Sequence, residues 1–251
     1  MFRPRVIPVL LLHNKGLVKT VNFDKSTYIG DPMNAVKIFN DLKVDEIVLL
    51  DIDATKENRS ISIDLVKEIG EEANMPFSVG GGVKDLETIQ KLTSAGAERV
   101  VLSSFAIENP DFVKEAADYF GASTICVCIN YKKNIWGKLN VYTRSGKRNI
   151  RKEVETVAVE MQNAGVGEVI IQSIDKDGTM LGYDLEVIKR ISNAVSIPVI
   201  ALGGAGSITD IEKGYKYAYA NGLAAGSFFV FKGQHRGVLI QYPAIEEYNF
   251  K

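Results

Sequence analysis

An internal repeat constrains what this chain can fold into. Residues 75–82 read Met-Pro-Phe-Ser-Val-Gly-Gly-Gly, and residues 197–204 read Ile-Pro-Val-Ile-Ala-Leu-Gly-Gly. Pro76 and Pro198 are 122 residues apart, close to half of the 251-residue chain. Two further pairs of similar segments have the same spacing: 44–53 with 166–175, and 99–104 with 221–226. This period is too long for a solenoid and indicates a fold made of two similar halves.

Strand-like and helix-like segments alternate along the chain. The predicted strands are 5–12, 46–51, 77–80, 99–103, 124–130, 168–173, 198–202 and 223–226. The predicted helices begin at Pro32 and near Pro110 or span 61–73, 85–96, 152–164, 184–193 and 208–220. Eight βα units predict an α/β fold, a (β/α)8 TIM barrel with a two-fold half-barrel repeat, as one domain over residues 1–251. A doubly wound open sheet is the alternative, which the repeat and the strand count disfavour. Residues 13–31 are predicted to be a loop, and 131–150 a loop with a small hairpin.

Composition narrows the class of protein. The net charge of -1 offers no excess of cations for nucleic acid, and no apolar run reaches the roughly 18 residues of a membrane span. The N-terminus runs directly into a strand, which predicts no signal peptide. Cys126 and Cys128 have neither a metal-binding nor a disulfide spacing. We therefore expect a cytoplasmic protein with no metal and no cofactor.

Glycines and serines follow several predicted strands. In a barrel, the residues at the carboxyl ends of the strands form the functional face. Glycine lets the backbone approach a ligand, while backbone amides and serine hydroxyls donate hydrogen bonds to an anion. Two phosphate sites, for phosphate or a phosphorylated small molecule, are therefore predicted at that face, although tight turns alone would also explain such glycines. The candidates are Gly81, Gly82, Ser103 and Ser104 in one half and Gly178, Gly203, Gly204, Ala225, Gly226 and Ser227 in the other.

Charged residues mark both ends of the predicted barrel. Four carboxylates lie at the ends of strands two and six, where they could transfer protons or merely cap loops: Asp51, Asp53, Asp175 and Asp177. Four charged residues begin strands at the opposite face: Arg5, Glu46, Arg99 and Glu168. We call this second set the lower ring. It could form a salt-bridged plug across the barrel or a solvated rim, and spacing alone leaves both interpretations open.

Taken together, these residues resemble the cyclase subunit of imidazole glycerol phosphate synthase. The matching stretches are Arg5-Val-Ile-Pro8, Gly16-Leu-Val-Lys19, Val21-Asn-Phe23, Gly30-Asp-Pro32, Phe77-Ser-Val-Gly-Gly-Gly82, Glu108-Asn-Pro110, Ser173-Ile-Asp-Lys-Asp-Gly-Thr179, Gly182-Tyr-Asp184 and Gly203-Gly-Ala-Gly206. The resemblance implies a barrel docked through its lower face on a glutaminase subunit. The lower ring would act as a gate for ammonia, which would then pass through the barrel to a bis-phosphorylated substrate at the upper face. Arg99 stands where that family usually has lysine.

Two departures from that family concern its chemistry. The resemblance implies catalytic aspartates near the ends of strands one and five, but this chain has Leu11 and Asn130 there. Leucine transfers no proton, and an amide is no acid or base at neutral pH. Acid–base catalysis contributes ~10²–10⁴-fold per group, so cyclisation should be nearly abolished. Lys19, Asp51 and Asp175 remain as other candidates for acid and base.

This pattern is similar to paralogues associated with glycosyl amidation in bacterial surface-polysaccharide pathways. Their resemblance implies that a glutaminase and the barrel supply ammonia to a separate ATP-dependent sugar amidotransferase. The preferred hypothesis is therefore an ammonia-channelling subunit without cyclase activity. One alternative is a working cyclase of histidine biosynthesis that uses Lys19, Asp51 and Asp175. Another is a ligand-binding barrel with no role in ammonia transfer.

Overall fold

The computed structural model describes residues 3–233 and 235–250. The strands are β1 (Arg5–His13), β2 (Gly16–Val21), β3 (Lys25–Gly30), β4 (Ile47–Asp51), β5 (Phe77–Gly80), β6 (Arg99–Leu102), β7 (Ile125–Lys133), β8 (Leu139–Thr143), β9 (Arg148–Asn149), β10 (Glu168–Ser173), β11 (Val199–Leu202), β12 (Gly222–Ala225), β13 (Phe231–Lys232) and β14 (Gly237–Val238). The helices are α1 (Pro32–Asp41), α2 (Ile63–Glu72), α3 (Leu86–Ser94), α4 (Ser104–Glu108), α5 (Pro110–Phe120), α6 (Val154–Asn163), α7 (Leu185–Ala194) and α8 (Ile208–Lys216).

Eight of these strands close into a parallel barrel. The order around it is β1, β4, β5, β6, β7, β10, β11 and β12, and β12 pairs again with β1. Helices lie between successive barrel strands, as the alternating sequence pattern predicted. The (β/α)8 TIM barrel is therefore confirmed, and the open sheet is excluded because the strand order closes on itself.

Alternate residues of each barrel strand face the interior. Paired registers link inward positions around the barrel, for example Val48 with Ser78 and Ile170 with Ile200. The inward apolar residues form one cluster, which comprises Ile7, Val9, Leu11, Val18, Val48, Val101, Cys126, Cys128, Ile170, Ile200, Leu202 and Ala224. Residues facing outward join the helices in a second, larger core. This alternation decides which side chains can line a path through the barrel.

The half-chain repeat is visible in equivalent contacts. The amide of Ile47 donates to the carbonyl of Pro76, and the amide of Val169 donates to the carbonyl of Pro198. The donor and the acceptor of the second bond each lie 122 residues after those of the first. The glycine pairs at 81–82 and 203–204 also share positive φ angles. The two halves therefore place their strand-end loops alike.

The prediction of a loop over residues 13–31 is wrong. Strand β2 pairs antiparallel with both β1 and β3, so this segment is a hairpin that extends the barrel wall. Its turns use left-handed backbone at Asn14 with Lys15 and at Asn22 with Phe23. Such turns favour glycine, and asparagine is one of the residues that tolerates them. Without a glycine at either place, the turn signal was missed.

One other segment differs from its expected boundaries. Strand β7 continues to Lys133, beyond the predicted end at residue 130, because it pairs with β8 in the hairpin expected over 131–150. After β12 comes a 3-10 helix at Ser227–Phe229 and then the short hairpin of β13 and β14. The chain then returns toward the start of β1, where the Tyr242 hydroxyl donates to the Val6 carbonyl at 3.0 Å. Across the described residues, no helix combines the length and apolar character needed to cross a membrane.

Candidate functional site

The lower ring forms a connected set of ion pairs across the amino-terminal end of the barrel. Arg5 bridges the two carboxylates, with Nη1 at 2.6 Å from Glu46 and Nη2 at 2.5 Å from Glu168. Arg99 lies 3.6 Å from the same two carboxylates. The Ser78 hydroxyl donates to Glu46 at 2.9 Å. Of the two interpretations left open by the sequence, the salt-bridged plug is the one that the geometry shows.

Burial makes the charges of this ring depend on one another. Burial raises the pKa of Glu46, and the nearby guanidinium of Arg5 only partly offsets this effect. Burial also tends to lower the pKa of Arg5, but the carboxylates of Glu168 and Glu46 outweigh it and raise the pKa overall. The ion pairs of Arg5 with Glu46 and Glu168 therefore offset part of the cost of burying these charges.

The barrel interior above the ring is apolar. Its wall is formed by the inward cluster of aliphatic residues and by two buried thiols, Cys126 and Cys128. Burial raises the pKa of Cys128 to about 12, so that side chain remains a neutral thiol at physiological pH. The wall between the lower ring and the mouth is therefore suited to a small uncharged molecule and hostile to an ion.

Leu11 and Asn130 lie at the upper end of this interior. Leu11 is 8% exposed and belongs to the inward apolar cluster. Asn130 is equally buried, and its Nδ2 donates to the Ser103 hydroxyl at 3.2 Å. Ser103 donates in turn to the Cys128 carbonyl at 2.9 Å. Neither position carries a group that could take up or release a proton at neutral pH.

One cavity opens at the mouth beside Leu11. We call it the upper cavity. It brings together all six phosphate candidates of the second half with Leu11 and Lys19, and its lining residues are Val9, Leu11, Lys19, Thr20, Gln172, Asp177, Gly178, Met180, Leu202, Gly203, Gly204, Ala205, Ala225, Gly226 and Ser227. A Cβ atom at Gly226 would lie 3.0 Å from the Lys19 ammonium nitrogen. The missing side chain there leaves room for a cation beside the candidate anion site.

Lys19 reaches the interior from the β2 hairpin. Its Nζ donates to the backbone carbonyl of Val9, and the residue is almost completely buried. Burial lowers the pKa of Lys19 to about 7, and the carboxylate of Asp177 only partly opposes this shift. The amine is therefore present in both protonation states near neutral pH. Of Lys19, Asp51 and Asp175, only Lys19 lines the upper cavity.

Comparison with known proteins decides the family. The family described as "Histidine biosynthesis protein" matches residues 5–236, which is nearly the whole chain. This chain belongs to that family.

Relatives within the histidine biosynthesis family cover both chains almost completely. The protein named "Putative imidazole glycerol phosphate synthase subunit HisF" of Leptospira borgpetersenii is 44% identical, over 97% of this chain and 96% of the relative. "Putative imidazole glycerol phosphate synthase subunit hisF2" of Pseudomonas aeruginosa is 42% identical, over 98% of each chain. "Imidazole glycerol phosphate synthase subunit HisF" of Alkaliphilus metalliredigens is 39% identical, over 91% of each. The resemblance to a cyclase-type barrel is thereby established at the level of the family.

In this family member, the phosphate candidates of the first half pack closely against neighbouring segments of the chain. A Cβ at Gly81 would crowd Asp51, and one at Gly82 would overlap the Arg59 carbonyl. The Ser104 hydroxyl accepts a hydrogen bond from the Arg144 amide at 2.8 Å, and Ser103 is already engaged. These residues follow neighbouring strands at the mouth, but both serine hydroxyls already form hydrogen bonds within the chain.

The carboxylates of this family member hold loops. Asp51 accepts from two backbone amides, those of Asp53 at 3.0 Å and Ala54 at 3.1 Å, and pairs with Arg59. Asp175 accepts from the Lys133 amide at 2.9 Å. The other two carboxylates also have partners, since Asp53 lies 2.7 Å from His13 Nδ1 and Asp177 accepts from Thr20 at 2.6 Å. The contacts of all four carboxylates fit the loop-capping interpretation.

Gln172 is a mouth residue that the sequence analysis missed. It lies beside Asn130 in register, lines the upper cavity, and its Oε1 is 3.5 Å from the Cys128 sulfur. The signal was available, because Glu168, Ile170 and Gln172 are alternate residues of one strand and must share a face. Arg59 was also missed, because its pairing with Asp51 depends on how the intervening loop folds.

Proposed function

We propose that this chain is the barrel subunit of a glutamine-dependent amidotransferase system and passes ammonia without cyclising a substrate. Ammonia enters from a glutaminase at the lower face and leaves at the mouth. In this proposal the protein is cytoplasmic and uses no cofactor. One contrast carries the proposal: the lower ring is intact, whereas Leu11 and Asn130 occupy the positions where the resemblance implies catalytic aspartates.

The lower ring suits a gate for a neutral nucleophile. Arg5 and Arg99 contact the same two carboxylates, so ion pairs rather than a continuous apolar plug span the lower end of the barrel. A partner that engaged Arg5 or Arg99 could move one cation while the other still neutralised Glu46 and Glu168. Arginine is bulkier than lysine, and its planar guanidinium can bind a carboxylate through two parallel hydrogen bonds. Arg99 would therefore move less readily than a lysine at this position, and the gate would open by movement of Arg5.

The interior suits ammonia rather than ammonium. Burying an unpaired cation in an apolar wall is strongly unfavourable, whereas a small neutral amine crosses with far less loss of solvation. The described inward residues between the lower ring and Lys19 include aliphatic side chains and protonated thiols. Nitrogen therefore arrives at the mouth as a nucleophile.

Loss of the acid–base pair argues against cyclisation. Each such group contributes ~10²–10⁴-fold, and an inward leucine supplies no substitute. Asp51 and Asp175 are held by loop amides, away from the role of a free base. The mouth would then deliver ammonia to an acceptor bound by another subunit.

The acceptor in this proposal is a sugar of a surface polysaccharide, amidated by an ATP-dependent amidotransferase. Relatives named hisF2 and hisF3 support a copy distinct from the pathway enzyme, since a number distinguishes one such protein from another. The upper cavity is lined by the six phosphate candidates of the second half and would hold phosphate or a phosphorylated small molecule.

The test is to express the chain with a HisH-type glutaminase from the same cells and to measure glutamine hydrolysis. We expect a stable complex in which the barrel raises glutaminase turnover. Arg5→Ala should change that stimulation, whereas Arg3→Ala, which removes an exposed pair with Asp45 on the same face, should not. If no glutaminase binds the wild-type chain, the proposal is wrong and a ligand-binding barrel becomes the better account.

A second candidate function rests on Lys19. Its pKa of about 7 would allow it to act as acid and base in an active imidazole glycerol phosphate synthase cyclase of histidine biosynthesis, with Asp51 and Asp175 assisting. Complementation of a histidine auxotroph lacking its cyclase subunit separates the two candidates. Growth that depends on Lys19 would favour the cyclase, and absence of growth favours the conduit.

A further inference from the structure

One segment at the mouth concentrates positive charge. Residues 131–152 contain eight lysines and arginines and no aspartate or glutamate. The rest of the chain, with 22 basic and 31 acidic residues, is acidic. We call residues 131–152 the cationic segment. Such an asymmetry in a nearly neutral protein indicates a surface that attracts an acidic partner.

The cationic segment borders the outlet of the barrel. It comprises the end of β7 with β8 and β9, and its chain passes the candidate phosphate loop, where the Arg144 amide donates to Ser104 at 2.8 Å. On the other side, a Cβ at Gly146 would lie 3.1 Å from Ile174 and 3.5 Å from Phe23. The segment therefore forms part of the rim through which the proposed nitrogen leaves.

Several of its cations are not neutralised within the chain. Arg144 and Arg148 share Glu108, Lys138 pairs with Glu153 before α6, and Lys152 pairs with Glu160 on α6. By contrast, the side chains of Lys133, Lys147 and Arg151 are exposed, and among the described residues no carboxylate forms an ion pair with them. These three side chains remain available to an approaching surface.

The tip of the hairpin carries two large exposed apolar side chains. Ile135 is 92% exposed and Trp136 is 85% exposed. The tip itself is ordered by Asn134, whose Oδ1 accepts from the amides of Trp136 at 2.9 Å and Lys138 at 3.0 Å. These bonds fix the backbone of the turn that presents Trp136. An exposed tryptophan in a segment that also carries arginines has the composition of an interface anchor.

We propose that the cationic segment is the docking surface for the subunit that carries the acceptor of ammonia. That partner would present an acidic surface with an apolar recess for Trp136. The inference rests on the proposed function, because only a barrel that exports ammonia needs a second protein at its mouth. Ammonia that reached open water would be protonated and diluted, so the partner must seal the rim. A protein is favoured over a membrane because the segment lies beside the outlet, where an acceptor site is required.

Photocrosslinking identifies what the tip touches. Benzoylphenylalanine is placed at Ile135 in the full chain, expressed with its natural complement of proteins in its own cells, and the crosslinked product is sequenced. We expect an ATP-using amidotransferase joined through an acidic surface. Crosslinks only to lipid, only to another copy of this chain, or to nothing would overturn the proposal.

Variants test whether charge and the tryptophan hold the partner. The amidotransferase that crosslinking identifies is purified separately, and its affinity for the purified chain is measured at low and high salt. The double variant Lys147→Glu/Arg151→Glu and the single variant Trp136→Ala should each weaken binding by about tenfold or more, and salt should weaken the wild type. Matched controls elsewhere on the barrel are Lys67→Glu/Lys114→Glu and Tyr119→Ala, which should leave the affinity unchanged. Equal affinity of test and control variants would overturn the proposal.

Two further arms separate the sources of failure. Flotation with vesicles of anionic phospholipid asks whether the same variants abolish lipid binding, a result that would assign the segment to a membrane. Glutaminase stimulation is measured for every variant, and the docking variants should retain it, because they lie at the opposite end of the barrel. A wild-type chain that neither binds nor stimulates a glutaminase would refute the proposed function itself, whatever the crosslink shows.

Discussion

The ammonium group of Lys19 donates a hydrogen bond to the backbone carbonyl of Val9 inside the barrel. This contact fixes a basic side chain within an otherwise apolar interior, next to Leu11 and the upper cavity. The carbonyl satisfies one donor but carries no charge, and Asp177 compensates the burial only in part. The low pKa of Lys19 follows from this arrangement.

The first prediction concerns the pH dependence of stability. Between pH 7 and 10.5, the unfolded chain binds a proton at Lys19 that the folded chain lacks. The wild type should therefore gain about 1.4 kcal/mol of unfolding free energy per pH unit from this group as the pH rises through that range. Below pH 7 both states bind the proton, so the contribution of Lys19 should not vary with pH. Lys19→Met lacks this term, so its stability relative to the wild type should be greatest at pH 7 and fall toward pH 10. Urea denaturation at several pH values measures the difference.

A control for this prediction is Lys67→Met, which changes an exposed lysine on α2. Its effect should not vary with pH. If Lys19→Met likewise shows a pH-independent effect, the buried lysine does not titrate as the structure indicates.

The second prediction compares two arginines of the lower face. Removing Arg5 in Arg5→Ala leaves Glu46 and Glu168 buried with only the more distant Arg99, and should cost about 3 kcal/mol of unfolding free energy. Arg3 is 51% exposed in its pair with Asp45, so Arg3→Ala should cost about 1 kcal/mol or less. The loss in Arg5→Ala should shrink as the pH falls, since protonation removes the uncompensated charges. Equal losses for the two variants would contradict a coupled ring.

The third prediction separates crowding from backbone strain at glycines. Gly82 has φ +65°, and an added Cβ would overlap the Arg59 carbonyl; Gly137 has φ +74°, with nothing within 4 Å of an added Cβ. Gly137→Ala should therefore cost about 1 kcal/mol, from the left-handed conformation alone. Gly82→Ala should cost about 2 kcal/mol more because the neighbouring loop must move. Thermal or urea unfolding of the two variants provides the comparison, and similar losses would show that the loop yields freely.

The architecture could be predicted because it depends on periodic and repeated features. Alternating βα units indicate a barrel, and the spacing of 122 residues identifies equivalent strands without knowledge of their contacts. The lower ring followed from charges at the first positions of parallel strands, which necessarily meet at one end. Alternation along a strand would also have placed Gln172 inward beside Asn130, had it been applied there.

Other features depend on loops, and sequence periodicity does not describe them. The hairpin over residues 16–30 was missed because its tight turns use asparagine in place of glycine. The partners of Asp51 and Asp175 come from neighbouring loops, so spacing could not distinguish a free base from a capping group. The burial of Lys19 required β2 to fold back along β1, a pairing that the local sequence does not signal.

The most direct test of the central claim is ammonia-dependent cyclisation by the purified chain. The assay supplies the phosphoribulosyl aminoimidazole substrate with ammonium salts at alkaline pH, so that no glutaminase is needed, and measures formation of imidazole glycerol phosphate. The double variant Leu11→Asp/Asn130→Asp serves as the comparison, since it restores both carboxylates to the mouth. The account predicts no product above background from the wild type and measurable product from the double variant. Robust turnover by the wild-type chain would contradict it.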